Sequence, residues 1–392
     1  MEFSTFCVND EQIKTAFSAG ATHLILEDPA VSVRSFSNDV GSHERLAHLV
    51  RTARGLAPDI LLSLNIDLPP HMTDLTLVQN YVRTARNNDI PRIRVQDPGL
   101  ALLVKEEYPE AVCHLATETG NANLPSMESH HTYFQRQCFA LDTALPDMKN
   151  AIERISGEFE IMVQGPILIQ YSQRRFLKGL SDTVLTHGDV FAARDSEYPG
   201  RLYRFYDNPH GHFMYLYFDR CLLSCLDDLK PLSVQSWLID GRGESLEYLT
   251  TAITAYRNAY TQITMETAEV IQHLKELTQR PQRPGFFRAN LTDQERGIPK
   301  TQNDAQLGIV IDVIKEHSFT VLMTQTLTEG PFLAITPEGK KIPLKNREIR
   351  NLSGQPVTEG HVGQLLRFFW QKGICSNTVI VVNEATAETQ NQ

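Results

Sequence analysis

The polar side chains best suited to chemistry fall at the ends of short apolar runs. Asn65 and Asp67 follow Leu61-Leu62-Ser63-Leu64, and Gln96 and Asp97 follow Arg92–Val95. His114, Thr117 and Glu118 follow Ala111-Val112-Cys113, Gln164 closes Glu160–Val163, and Asp240 and Arg242 follow Ser236–Ile239. The amides of Asn65, Gln96 and Gln164 offer both donor and acceptor groups to a ligand. The carboxyls of Asp97, Glu118 and Asp240 and the imidazole of His114 are groups for proton transfer. Arg242 could hold a carboxylate or phosphate. Plainer readings stand beside these. Asn65 fits a loop-capping amide, Asp97 a helix N-cap ahead of Pro98, and His114 an inert buried imidazole.

Cys221 and Cys225 are four apart, so a helix would put both on one face, as two thiolates for a metal or two small core residues. An iron–sulfur cluster needs more ligands, and no second pair lies near. No His-Glu-x-x-His, Gly-x-Ser-x-Gly or Cys-x-x-Cys pattern occurs, so zinc-protease, serine-hydrolase and dithiol chemistry have no motif to rest on. Arg174, Arg175, Lys178, Arg194, Arg201 and Arg204 enrich one stretch in positive charge. Of these, Arg174, Arg175 and Arg194 are candidates for gripping an anion, or for pairing with Asp182, Asp189, Asp195 and Glu197.

These candidates need a scaffold that brings strand ends together. Strand-like runs at Ala21–Leu26, Ile60–Asn65, Arg92–Gln96, Ala111–Leu115, Phe139–Leu141, Glu160–Gln164 and Ser236–Ile239 alternate with helix-like stretches at Lys14–Gly20, Glu44–Leu56 and Asp74–Asn87. That alternation predicts a parallel sheet wrapped by helices. Its extent to about residue 275 suits a (β/α)8 TIM-type barrel, whose active face gathers the C-terminal strand ends. An open doubly wound sheet is the alternative, without a Gly-x-Gly-x-x-Gly or Walker-type motif to support it. The barrel is expected over residues 1–278. A linker over 279–285, with two prolines and a glycine, stops the last helix. Gly308–Ile314, Phe319–Met323, Phe332–Ile335 and Thr378–Val382 then predict a small C-terminal β-barrel over 286–383, with Pro337-Glu338-Gly339-Lys340 as a turn. A polar tail over 384–392 ends the chain.

The 392 residues, 41% hydrophobic and 21% charged, describe a folded globular protein of about two domains. A net charge of −10 argues against indiscriminate nucleic-acid coating but not against a local basic patch. Arg280, Arg283, Arg288, Arg296 and Lys300 form one basic gathering, and Lys340, Lys341, Lys345, Arg347 and Arg350 another. Met1-Glu2-Phe3-Ser4-Thr5-Phe6 has no leader-like pattern, and no apolar run approaches membrane-spanning length, so a cytoplasmic protein without membrane insertion is expected. Six scattered cysteines fit reduced thiols.

Ser236-Trp237-Leu238-Ile239-Asp240-Gly241-Arg242, running on to Ala255-Tyr256-Arg257, resembles the Lys-Ile-Glu-Gly-Arg block of peptidase family U32, the collagenase-like peptidases, and the helix after it. Ser63-Leu64-Asn65, Val95-Gln96-Asp97-Pro98-Gly99 and His114-Leu115-Ala116-Thr117-Glu118, with Asn123, resemble successive blocks in the same order. The family usually has Ser-Thr-Gln where Ala116-Thr117-Glu118 stands here. The resemblance spans the barrel and extends to the C-terminal domain of RNA-hydroxylating members. It implies a 4Fe–4S cluster on cysteine ligands and oxygen-independent hydroxylation of tRNA uridine, ribosomal RNA cytidine or ubiquinone precursors. The family name implies proteolysis.

The chain departs from the pattern at the ligands. Gln164-Gly165-Pro166-Ile167-Leu168, Ser172-Gln173-Arg174-Arg175 and Ala192-Ala193-Arg194-Asp195 stand where the family's first three cysteines fall. Cys221 is the one plausible ligand left, with Cys225 four residues on. The resemblance thus implies a divergent member that has lost the cluster, with no other cofactor or metal predicted. It would serve as partner to a cluster-bearing homologue or as a ligand-binding barrel, with RNA a possible partner. An active RNA-modifying enzyme and a collagenase-like peptidase are the alternatives.

Overall fold

The computed structural model describes residues 1–37, 40–117, 120–177, 190–194, 201–288, 306–327, 330–337, 339–345 and 348–382. The chain divides into two compact units, Met1–Asn290 and Leu291–Gln392.

In the first unit, strands β1 (Glu2–Cys7), β2 (His23–Glu27), β3 (Leu61–Ile66), β4 (Arg92–Val95), β5 (Val112–Leu115), β6 (Arg136–Cys138) and β7 (Glu158–Ser172) follow one another. After β8 (Val190–Arg194), β9 (Leu202–Asn208) and β10 (Gly211–Cys221) comes β11 (Ser236–Ile239). Each of β1 to β6 pairs in parallel with the next, and β11 pairs in parallel with both β7 and β1. The result is a closed eight-stranded parallel barrel.

Helices α1 (Asp10–Ala19), α2 (His43–Leu56), α3 (Leu75–Asn87), α4 (Pro98–Glu107), α5 (Leu124–His131) and α6 (Leu145–Arg154) alternate with the strands. Local chemistry starts them: Asn9, Ser42, Asp97 and Asn123 cap the N-termini of α1, α2, α4 and α5 with side-chain oxygens. Proline opens α4, α5 and α6. Ile13 and Ala16 of α1, Leu46 and Leu49 of α2 and Val78 and Val82 of α3 pack with Leu24, Leu62 and Ile93 of the strands in the main core.

Two features depart from a regular barrel. The link from β7 to β11 carries antiparallel strands: β7 runs past the barrel to pair with β10, which pairs with β9, which pairs with β8. Only the short helix α7 (Leu226–Leu229) precedes β11, and α8 (Leu246–Tyr260) and α9 (Thr267–Thr278) follow it. The sixth strand is Arg136–Cys138, three residues before the expected Phe139–Leu141; Phe139 N–H still donates to Glu160 O of β7 (2.9 Å), and its ring stacks on Phe159 with centroids 4.7 Å apart.

The stretch expected as a linker belongs to the first unit. Arg280 is buried and ion-paired with Asp219 (2.8 Å), and β12 (Gln282–Arg283) pairs with β10. A buried guanidinium needs its carboxylate, which holds this proline-rich segment against the barrel.

The second unit is an antiparallel sheet of β13 (Gln306–Ile314), β14 (Ser318–Met323), β15 (Phe332–Ile335), β16 (Lys341–Pro343), β17 (Ile349–Arg350), β18 (Pro356–Val357), β19 (Leu365–Phe369) and β20 (Val379–Val382). Its order is β16-β15-β20-β13-β14-β19-β17-β18. Alternating Leu307, Val310, Phe319, Val321, Met323, Leu366 and Phe368 form its core.

Gly165 in β7 has φ +137°, and a Cβ there would stand 2.6 Å from the backbone oxygen of Asp240. Gly165→Ala should therefore destabilise the first unit by roughly 1–3 kcal/mol or more. Urea unfolding followed by Trp237 fluorescence in a Trp370→Phe background would read this as a lower midpoint at unchanged slope.

Candidate functional site

The barrel mouth is built from strand ends and one loop. Asp240, just past β11, accepts from Arg34 Nη2 at 2.8 Å and from Arg242 Nη2 at 2.7 Å and Nε at 3.0 Å. Arg242 also reaches Glu27 at the end of β2 (3.2 Å) and stands 3.8 Å from Asp67. Its guanidinium lies 3.7 Å above the Phe6 ring, a cation–π contact that shields it from water. Asn65 Nδ2 donates to Glu27 (3.1 Å), and Val33 N–H donates to Asp67 (2.7 Å). These groups are buried, so each charge stands only because its partners replace lost hydration.

Burial raises the Glu27 carboxyl to about 7 despite Arg34, Asn65 and Arg45 pulling the other way. Burial also raises Asp67 to about 6, with the charge of Glu27 adding to the effect. The mouth therefore holds two carboxyls that exchange protons near neutral pH beside two fixed guanidiniums.

A cleft of about 200 Å³ opens beside it, lined by Arg34, Asp67 and Gln96 and walled by Leu168, Tyr171 and Phe213. Gln96 donates to the Asp67 backbone oxygen, which places its amide at the cleft floor. Tyr171 and Phe213 stack with centroids 5.0 Å apart. The wall is anchored by the β9–β10 hairpin, where Asn208 donates to Val33 O (2.7 Å) and His210 lies 2.6 Å from Pro29 O.

Not every expected residue converges there. Asp97 caps α4, accepting from Gly99 and Leu100 N–H. Gln164 is turned to α8 and β12, donating to Tyr248 (2.9 Å) and Gln282 (2.8 Å). His114 lies inside the barrel, 1% exposed, in register between Arg94 and Arg136. Burial and these cations hold it well below the ordinary imidazole value, so it is neutral at pH 7. Glu118 and the side chain of Arg194 lie outside the described residues. Arg174 is exposed and Arg175 half-buried on the loop after β7.

The sequence reading missed Glu27 and Arg34, together with a charged layer beneath the mouth. Arg94 pairs with Glu160 (2.7 Å), and Arg136 bridges Glu2 and Glu158 (both 2.6 Å). His23 joins Ser4 (3.1 Å) and Ser63 (2.6 Å). The available signal was polar residues at alternate positions of buried strands, as in Arg92-Ile93-Arg94 and Glu158-Phe159-Glu160.

The implied cluster can be tested against its ligand positions. Leu168 packs with Val33, Tyr206, Phe213 and Tyr215 beside the cleft. Cys221 is the last residue of β10, not part of a helix, and packs with Leu222, Cys225 and Tyr256 in the main core. Burial raises its thiol to about 11. The two positions belong to different cores, and among the described residues no group of three His, Cys, Asp or Glu side chains is placed to hold a metal.

The first unit is thus a closed (β/α)8 barrel with a charged cluster and a cleft at the C-terminal strand ends, the face where barrels of this kind gather their functional residues. Residues 8–297 match peptidase family U32, and the chain belongs to that family. It is 21% identical over 408 residues to the tRNA hydroxylation protein P of Escherichia coli (strain K12), covering 89% of each. It is 22% identical to the tRNA hydroxylation protein P1 of Bacillus subtilis (strain 168), covering 64% of this chain and 60% of that one. A solved U32 peptidase aligns over 43% of this chain and 70% of its own, at 12% identity and a TM-score of 0.37. No helix among the described residues is long and apolar enough to cross a membrane.

Carboxyls raised by folding bind protons more tightly in the native state. Glu27 and Asp67 therefore contribute stability that is complete below their ordinary values and lost as pH rises to about 6 for Asp67 and about 7 for Glu27. Across roughly pH 4–7 each should impose a fall of up to about 1.4 kcal/mol per pH unit. Stability measured against pH should be flatter in that window for Glu27→Gln combined with Asp67→Asn than for the parent.

Proposed function

We propose that this chain acts in tRNA hydroxylation as a ligand-binding U32 barrel without a family-type 4Fe–4S cluster of its own, beside a cluster-bearing homologue in the cytoplasm. The observation that carries the reading is Leu168. At the position that the resemblance matches to the family's first cluster cysteine, it supplies apolar wall to a cleft floored by Arg34, Asp67 and Gln96. Such a cleft suits a small ligand with one flat apolar face against Tyr171 and Phe213 and one polar edge toward the floor. The names of the curated relatives support tRNA hydroxylation as the setting.

Iron and acid-labile sulfide, assayed on protein purified and reconstituted without oxygen, should be far below stoichiometric, with no cluster absorbance. Tagged full-length chain should co-purify a homologue that does contain iron. A stoichiometric cluster on this chain alone would overturn the reading.

A second reading, an RNA-hydroxylating enzyme in its own right, is favoured by the raised carboxyls of Glu27 and Asp67 at the mouth. Under it, Asp67→Asn should abolish the hydroxylated tRNA nucleoside that the parent gene restores to a deletion strain. Undiminished modification by a folded Asp67→Asn protein would remove this reading.

A further inference from the structure

We propose that the outer face of the second unit's sheet, across β19 and β17, docks single-stranded RNA. In this surface Arg350 and Arg367 grip phosphates and Phe369 stacks on a base. The inference goes beyond the reading of the barrel mouth and does not depend on what chemistry occurs there.

Strand alternation sorts the residues. In β19, Leu366 and Phe368 face the core, so Leu365, Arg367 and Phe369 face outward. In β14, Phe319, Val321 and Met323 face inward, and on the other side Ser318 and Thr320 are nearly buried, so the accessible part of this face lies on β19 and β17. Ile349 of β17 is in the core, and Arg350 is not.

Register then places Arg350 directly opposite Arg367, and Arg367 opposite Thr320. Like charges directly opposite one another destabilise a sheet. Arg350 has Glu348 at its rim side (2.7 Å), whereas Arg367 Nε is buried with no hydrogen-bond partner among the described residues. Two arginines at paired positions on one face, beside an exposed aromatic ring, are a charge arrangement that a phosphate answers by charge-assisted hydrogen bonds.

Phe369 is 37% exposed on the same face, with the Arg350 guanidinium 5.3 Å over its ring. An exposed aromatic flanked by cations is the combination that binds single strands, because every base has a face to stack and every nucleotide a charge to neutralise. Lys345 N–H donates to the Gln371 side chain (3.0 Å), which brings another basic residue to the segment that follows Phe369. Acids and bases nearly balance over residues 291–392, so placement rather than net charge makes the patch. An acidic peptide would meet the arginines but leave Phe369 unused.

The test is fluorescence anisotropy of a labelled single-stranded RNA of about ten nucleotides, with the full-length chain and variants, at salt from about 50 to 200 mM. The parent should bind at low salt. Phe369→Ala should weaken binding at least about five-fold, while Phe369→Tyr, which keeps the ring, should retain it. Arg350→Glu with Arg367→Glu should weaken binding further and lower the salt slope by roughly 1–2. Lys14→Glu, an exposed charge change on α1, should alter neither. If the arginine variant does not fold, the Phe369 pair still decides. No binding by the parent at low salt, parent-like binding by Phe369→Ala, or equal competition by an oligoglutamate of matched charge would each overturn the proposal.

Discussion

Charges enclosed by the barrel constrain everything built on it. Arg94 of β4 meets Glu160 of β7, Glu2 of β1 meets Arg136 of β6, and Ser4 of β1 meets Ser236 of β11. Most of these partners come from strands that are not neighbours in the ladder, so the contacts span the interior. A buried guanidinium without its carboxylate costs several kcal/mol, and a one-residue slip would turn each of these side chains out of the barrel. The polar interior adds little net stability, yet it specifies one register and one closure. The apolar packing of helices on the outer strand faces supplies the driving force.

The mouth continues the same logic upward. Asp240 is held by Arg34 and Arg242, and Arg242 is shared with Glu27 and Asp67. Arg34 lies on the loop after β2, which the β9–β10 hairpin fixes through Val33 and Pro29. The unusual β-strand link between β7 and β11 therefore positions one of the site's charges and walls its cleft. Gly165 belongs to this arrangement, because only a residue without a side chain lets β7 pass so close to Asp240.

The second unit follows different rules. Its antiparallel sheet buries one face in an apolar core and presents Arg350, Arg367 and Phe369 on the other. Parallel barrel strands are covered on both faces, so their polar residues must find partners within the protein. In the second unit the face away from the main core carries a smaller buried cluster of Ile335, Val379 and Val381, with Arg350, Arg367 and Phe369 toward β19 and β17.

By itself the sequence determined the alternation of strands and helices, the helix start at Asp97, the β-rich second unit, and the block order that marks the family. Each rests on short-range chemistry: a cap lies within three residues of the groups it satisfies, and a strand shows its period within six. The sequence also marked Asn65, Gln96, Asp240 and Arg242 as strand-end residues, and these do meet at or beside the mouth. Tertiary structure alone decided that Gln164 turns away to α8, that His114 sits below the mouth between two arginines, and that Arg34 joins a site 206 residues away from Asp240. It also decided that Arg280 belongs to the barrel rather than to a linker. Those outcomes depend on barrel closure and on which charges share a dry interior, and both are set by contacts between residues far apart along the chain.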